Sequence, residues 1–318
     1  MKDYIIIGAG LSGLVLADKI FKSKLGSVLT LEKSRGIGGR VATRRTLNTR
    51  FDHGAQFYRL KSDSQDYHQL WDAEKITHQW FVDNEVEHWC ANIGMTALTK
   101  SIAAHLEVQL ESLIHTIKYE NAYWKILSEK GEVWTCRKLI VSAPLPQVVQ
   151  LLERSALNSL LESEEGLKLK NIHYSKALIA LVTLEADILI NKNGYEEFPM
   201  EDFFSLSDQK QKGISPLPAI TITMSENFSE KYFEESDEII LELILSELQK
   251  KFPAAKISGS ELKKWRYCRP ISTYNELFLE LTPNLFIIGD AFGGASLLGA
   301  MRSANALART FIDNFNQS

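Results

Sequence analysis

Apolar and polar positions along this chain repeat with two different periods, and the change of period outlines its elements. Residues 4–7 (Tyr-Ile-Ile-Ile) form a continuous apolar run, the pattern of a strand covered on both faces. The run enters Gly8-Ala9-Gly10-Leu11-Ser12-Gly13, after which Leu14, Leu16, Ala17, Ile20 and Phe21 recur at helical spacing and share one buried face. Gly26 ends that helix, and residues 27–31 predict a second strand. Strand patterns follow at 107–110, 113–119, 122–127 and 133–135, with Gly131 as a hairpin turn between the last two. Residues 139–141 are a buried strand stopped by Pro144 and Pro146. Residues 176–184 and 218–224 read as strands. From Ser236 the helical period returns as far as Phe252, with Asp237 and Glu238 in the first turn and Lys250 and Lys251 in the last, as the helix dipole favours.

The first of these stretches carries chemistry. Strand, glycine turn, helix, strand and then Glu32, nineteen positions after Gly13, form the dinucleotide-binding fingerprint in its proper context. Gly8 permits the tight turn, Gly10 lets backbone approach a pyrophosphate, and Gly13 lets helix and strand pack closely. The positive end of the helix then faces phosphate, and Glu32 can accept from ribose hydroxyls. A second glycine-dense turn, Lys33-Ser34-Arg35-Gly36-Ile37-Gly38-Gly39-Arg40, follows at once. It reads either as a second close approach to a ligand, with the Arg40 fork serving a phosphate, or as a solvated surface loop.

Composition narrows the field. A chain of 318 residues, 45% hydrophobic, can bury a large core in two domains. Its net charge of −4 gives no electrostatic reason to expect nucleic acid as a partner. Cys90, Cys136 and Cys268 are far apart and suit reduced, structural thiols in a cytoplasmic setting. The histidines between 59 and 90 lack the compact spacing of a metal site, so no metal is expected. The opening MKDYIIIGAG does not read as a signal peptide, and no apolar stretch predicts a membrane span. The aromatics between 59 and 90, Trp80 and Phe81 among them, either pack a small sheet beside the ligand or form a cage for a substrate.

The pairing of the glycine fingerprint with Lys33-x-x-Gly-x-Gly38-Gly39-Arg40 and Asp52-His53-Gly54-Ala55-Gln56-Phe57-Tyr58 resembles the FAD-containing amine oxidase superfamily, and within it the renalase branch. Later segments extend the resemblance over nearly the whole chain: residues 92–98, 140–147, Lys264-Trp265-Arg266 through Pro270, and Gly289-Asp290 followed by Gly299-Ala300-Met301-Arg302-Ser303-Ala304. It implies non-covalent FAD. Ser12 would stand at the phosphate-facing helix start, Glu32 on the adenosine ribose, Arg40 at the diphosphate, and Gln56 and Phe57 beside the flavin. Asp290 would accept a ribityl hydroxyl, with a helix N-terminus near Gly299 and Ala300 facing the flavin's N1–C2=O edge. Val108 aligns with a strand that touches adenine, or is an ordinary core valine. Trp265 faces the pocket or packs in the core.

The fold so implied is α/β: a Rossmann-type FAD-binding domain of the glutathione-reductase-like, p-hydroxybenzoate-hydroxylase-like kind, with an α+β substrate domain containing a mixed sheet. Residues 1–60, 91–160 and 266–318 would make the discontinuous FAD-binding domain, and 61–90 with 161–265 the substrate domain, the boundary lying in a solvated acidic linker at 162–165. The expected function is an FAD-dependent oxidase in which a small donor gives a hydride to flavin N5 and O2 takes the electrons as H2O2. For substrate the resemblance implies an isomeric dihydroNAD(P). Flavin-dependent oxidation of an amine or a polyene is the alternative, and a flavin-binding protein without turnover the alternative from another class. Leu298 stands where bacterial members of the branch place an acid, which bears on the substrate.

Overall fold

The computed structural model describes residues 1–317. Its largest sheet has eight strands, with Lys2–Ile7 at the centre of a parallel set. Lys2–Ile7 pairs with Val28–Leu31 on one side and with Val133–Val141 on the other, both in parallel. Beyond these, Val108–Gln109 and Leu285–Ile287 extend the parallel arrangement, and Leu279–Thr282, Tyr123–Ser128 and Ile114–Glu120 add antiparallel pairs. The sheet is therefore mixed.

Burial on both faces explains the continuous apolar run at the start. Ile6 joins Leu14, Leu16, Ile20, Met301 and Leu307 in one core, between the sheet and the helices Leu11–Lys22 and Leu297–Gln317. Its neighbour Ile5 points the other way, toward Leu29, Ile117, Trp124, Leu139 and Leu145. Phe21, expected on the buried face of the first helix, is 51% exposed and packs tilted against the His105 ring instead. It falls in the last turn of the helix, and Val15 takes part in the core.

The apolar pattern predicts two pieces within 133–141, but the chain forms one nine-residue strand there, Val133–Val141. Pro144 and Pro146 end it and open the helix Leu145–Arg154, where proline in the first turn costs no hydrogen bond. The acidic run is not a linker. It forms the helices Asn158–Glu162 and Glu164–Lys170, the second capped by Ser163, and they bury Leu161 and Leu169 against the large sheet.

A second sheet of five strands runs in the order Tyr195–Glu197, Phe203–Asp208, Ala219–Met224, Tyr174–Leu184, Ile257–Pro270. Every pairing in it is antiparallel. Alternation along Tyr174–Leu184 separates its faces. Leu178, Ala180 and Val182 pack on the helix Asp237–Lys251 through Ile240, Ile244 and Leu248. Ala177, Ile179 and Leu181 face the opposite way, with Phe51 and Trp265. Residues 59–91 supply the helix Gln65–Ala73 and a small three-stranded sheet of Tyr58–Arg59, Val86–Ala91 and Thr77–Asp83.

Candidate functional site

A cavity of about 1430 Å³ lies between the carboxyl ends of the parallel strands and the Ala177–Ile179 face of the five-stranded sheet. That is where an open α/β sheet binds its ligand. At one end stands the glycine turn. Gly8 has φ +106° and donates its N–H to Leu31 O, which turns the chain sharply out of the strand. A Cβ on Gly13 would sit 2.1 Å from Gly8 O, whereas one on Gly10 would meet nothing within 4 Å. Gly13 thus serves packing, and Gly10 borders open space on the cavity wall.

The helix Leu11–Lys22 behind this turn has no side-chain cap and no acid in its first turn. The Ser12 hydroxyl beside it is buried with no hydrogen-bond partner among the described residues. An orphaned hydroxyl, an uncapped helix start and a glycine opening onto a cavity together form a cradle suited to a diphosphate. Glu32 is fixed by two backbone donors, Ala9 N and Ser34 N, each at 2.8 Å, and lines the same cavity. Lys33 Nζ lies 3.3 Å from Gln147 Oε1. The second glycine turn folds back on the first: Gly38 N donates to Ala9 O, and Gly39, at φ +55°, lies against Gly10.

Sequence reading gave Arg40 and Asp290 separate duties, and the structure joins them. The Arg40 guanidinium meets the Asp290 carboxylate through two bonds, at 2.7 and 2.9 Å, and also donates to Cys268 O at 2.8 Å. Burial works against the charge on Arg40, but Asp290 outweighs it and raises the pKa. Gly289, at φ +148°, lets the chain reach this position. The last helix begins two residues earlier than expected, at Leu297, because Ser296 Oγ accepts from Gly299 N and closes its first turn. Gly299 is a packing glycine, since a Cβ there would be 1.8 Å from Gly294 O, while Ala300 and Leu298 line the cavity.

The middle of the cavity rests on a buried polar node that no local pattern predicted. Asp52 and Lys212, both fully buried, pair at 2.7 Å. Asp52 Oδ1 also accepts from Met95 N at 2.8 Å, and its backbone O accepts from Thr221 Oγ1 at 2.9 Å. The Gln56 amide is wholly engaged in this node: Nε2 donates to Asp52 O, and Oε1 accepts from Ser207 and Gln209. Gln56 therefore shapes the wall as a brace between the two sheets. Phe57 projects among Trp80, Phe81, His88 and Tyr195, ring to ring. Trp265 does both things considered for it: it packs with Ala177 and Ile179, lines the cavity, and donates Nε1–H to His53 O at 2.9 Å. His53 stacks on it at 5.6 Å, and burial pushes its pKa down to about 4.

Val108 takes the place of the core valine considered for it. It pairs with Thr30, packs against the core and is absent from the cavity wall, which passes instead along Ser112, Leu113 and Ile114. Its strand is only two residues long, and the chain then turns past Glu32, with Ser112 N donating to Glu32 O. Among the described residues no three acidic, histidine or cysteine side chains come together as a metal site, and no helix is long and apolar enough to cross a membrane.

This architecture has known relatives. Residues 6–73 match the NAD(P)-binding Rossmann-like domain, and residues 69–310 match the family described as flavin containing amine oxidoreductase. The chain belongs to the flavin containing amine oxidoreductase family. It is an FAD-dependent oxidoreductase, and the cradle at Gly10, Ser12 and Glu32 fits that cofactor's dinucleotide. Across 96% of its length it is 22% identical to renalase of Mus musculus, covering 97% of that protein. Its fold superimposes on cyclohexylamine oxidase from Brevibacterium oxydans with a TM-score of 0.73 at 12% identity, covering 99% of each chain. A putrescine oxidase carrying the A394C mutation gives 0.78 at 13% identity, over 98% of this chain and 99% of that one.

Proposed function

We propose that this family member oxidises a reduced nicotinamide dinucleotide, in the form of an isomeric dihydroNAD(P), acting in the cytoplasm. FAD, when bound, would supply hydride acceptance at N5, and O2 would take the two electrons with the transferred hydrogen and one proton from solvent, giving NAD(P)+ and H2O2. One observation carries the reading. The dinucleotide cradle and a compartment walled by Phe57, Trp265 and Ile179 belong to one continuous cavity, so cofactor and donor meet inside it. The likeness to renalase along the whole chain supports this donor class.

The chain's own residues have defined tasks in this reading. Ser12 and the helix start behind Gly10 hold the diphosphate, Glu32 takes the adenosine ribose, and the Arg40–Asp290 pair fixes the segment beside the flavin's sugar chain. Gln56 braces the loop that carries Phe57. The sheet face with Ala177 and Trp265 covers the ring system and excludes water. FAD is held non-covalently.

The test is anaerobic mixing of the yellow protein with 2- or 6-dihydroNAD(P). The flavin should bleach, and peroxide should appear when air is admitted. A protein that stays colourless with added FAD defeats the proposal. A second reading, oxidation of an amine, is favoured by one feature, the Glu197 carboxylate on the cavity wall. Bleaching by amines alone would establish it instead.

A further inference from the structure

The cavity-facing side of the five-stranded sheet is chemically divided. Its strands Tyr174–Leu184 and Ile257–Pro270 present Ala177, Ile179 and Trp265. Phe203–Asp208 and Ala219–Met224 present hydroxyls. Ser205 lies directly across from Thr223, and Thr223 directly across from Ile179, so the three form one transverse row on the cavity wall.

The next row has the same composition and a different use. There Ser207 Oγ donates to Gln56 Oε1 at 2.9 Å and Thr221 Oγ1 donates to Asp52 O at 2.9 Å. Those two hydroxyls are consumed by the buried node. Ser205, only 3% exposed, has its hydroxyl toward the Tyr195 phenol, which itself donates to Glu197 Oε1 at 2.7 Å. The Thr223 hydroxyl makes no hydrogen bond within the described residues. A hydroxyl lining a semi-enclosed cavity retains its hydrogen-bonding capacity for whatever enters.

Two hydroxyls one strand spacing apart, about 5 Å, next to an apolar strip, suit a flat ring with a single polar edge. A carboxamide can accept from one hydroxyl through its C=O and donate to the other through its NH2. A polyene would leave the Thr223 hydroxyl unsatisfied, and an ammonium group cannot accept from it. We infer that Ser205 and Thr223 are specificity-determining residues that bind the carboxamide edge of a nicotinamide-type ring, whose apolar edge lies along Ile179 and Ala177. This assignment rests on the proposed dihydronicotinamide donor.

The experiment uses the FAD-loaded protein and two probes, NAD+ and the same dinucleotide with hydrogen in place of the pyridine carboxamide. Each is titrated while the flavin absorbance is followed, giving a Kd for each. The wild type should prefer NAD+ by about tenfold or more, the scale of one or two neutral hydrogen bonds. The Ser205→Ala/Thr223→Val variant should lose that preference while its Kd for the analogue stays within about twofold, as expected when only carboxamide contacts are removed. Thr223→Ser, which keeps the hydroxyl, should retain it. Equal Kd values in the wild type, or a preference that survives the double variant, overturn the assignment. A parallel anaerobic test separates the two levels. If 2- and 6-dihydroNAD(P) bleach the wild-type flavin yet no carboxamide preference exists, this assignment alone falls. If neither donor bleaches it, the donor class falls and the assignment with it.

Discussion

Arg40 and Asp290, 250 positions apart, are locked in a two-pronged ion pair that joins the second glycine turn to the strand-end glycine near the carboxyl terminus. Because the carboxylate takes both terminal nitrogens, Arg40 acts first as the clasp between two walls of the cofactor cavity. Any charge it offers a diphosphate is already largely balanced.

Cutting that clasp from either side should therefore loosen the site itself. Asp290→Asn should lower apo-protein stability by about 1–3 kcal/mol, less than for a fully buried pair because the Arg40 side chain is 31% exposed. Arg40→Lys, which keeps charge and loses the fork, should behave similarly. Both should raise the Kd for FAD, measured by equilibrium titration of apo-protein. Unchanged FAD retention in Arg40→Ala removes the clasp from the site.

The Asp52–Lys212 pair makes a sharper prediction because both side chains are fully buried. Lys212→Met alone leaves a buried carboxylate without its counter-ion and should cost about 3–5 kcal/mol in urea unfolding. Adding Asp52→Asn should recover part of that loss, since the double variant buries no unpaired charge. Strictly additive losses would show that the two residues do not act as a pair.

These residues also mark where sequence reading stops. The Gly8 turn, the packing of Gly13 and the place of Gly10 and Glu32 on the cavity wall were legible because the fingerprint imposes fixed local spacing. The family resemblance extended that reading to both ends of the chain. Lys212 was not legible: it sits in Gln209-Lys210-Gln211-Lys212, which has the composition of a solvated turn, and its partner lies 160 positions away. Ser205 and Thr223 were hidden for a related reason. Their role depends on cross-strand register, which neither strand encodes alone. The acidic residues at 162–165 misled because charge on a helix surface and charge in a linker look the same until Leu161 and Leu169 are seen to be buried.

His53 gives the protein a defined acid sensitivity. Burial is the main cause of its pKa falling to about 4 from an ordinary 6.5, and the charge of Lys263 adds to it. Between these values the unfolded chain binds a proton that the folded chain refuses, so stability falls as pH drops from 6.5 toward 4 and is flat, for this group, above 6.5. The contribution is at most about 3 kcal/mol. His53→Gln should flatten the wild-type slope over that window, read from unfolding midpoints at several pH values. An unchanged slope would assign it to other groups.

The two glycines of the first turn separate folding from cofactor binding. A methyl on Gly13 would be driven to 2.1 Å from Gly8 O, so Gly13→Ala must displace the helix from the strand. It should destabilise the apo-protein by about 1–3 kcal/mol, as overpacking does. Gly10 has an ordinary φ of −72° and open space where a side chain would go, so Gly10→Ala should leave the apo-protein's stability within about 0.5 kcal/mol of wild type. That same methyl would occupy the cradle where backbone has to approach the diphosphate. Gly10→Ala should therefore bind FAD at least about tenfold more weakly, the cost of losing one close phosphate contact. Calorimetric titration of FAD into the apo-protein, alongside its melting curve, checks both halves. A Gly10→Ala protein that melts normally and binds FAD normally would move the diphosphate away from this turn.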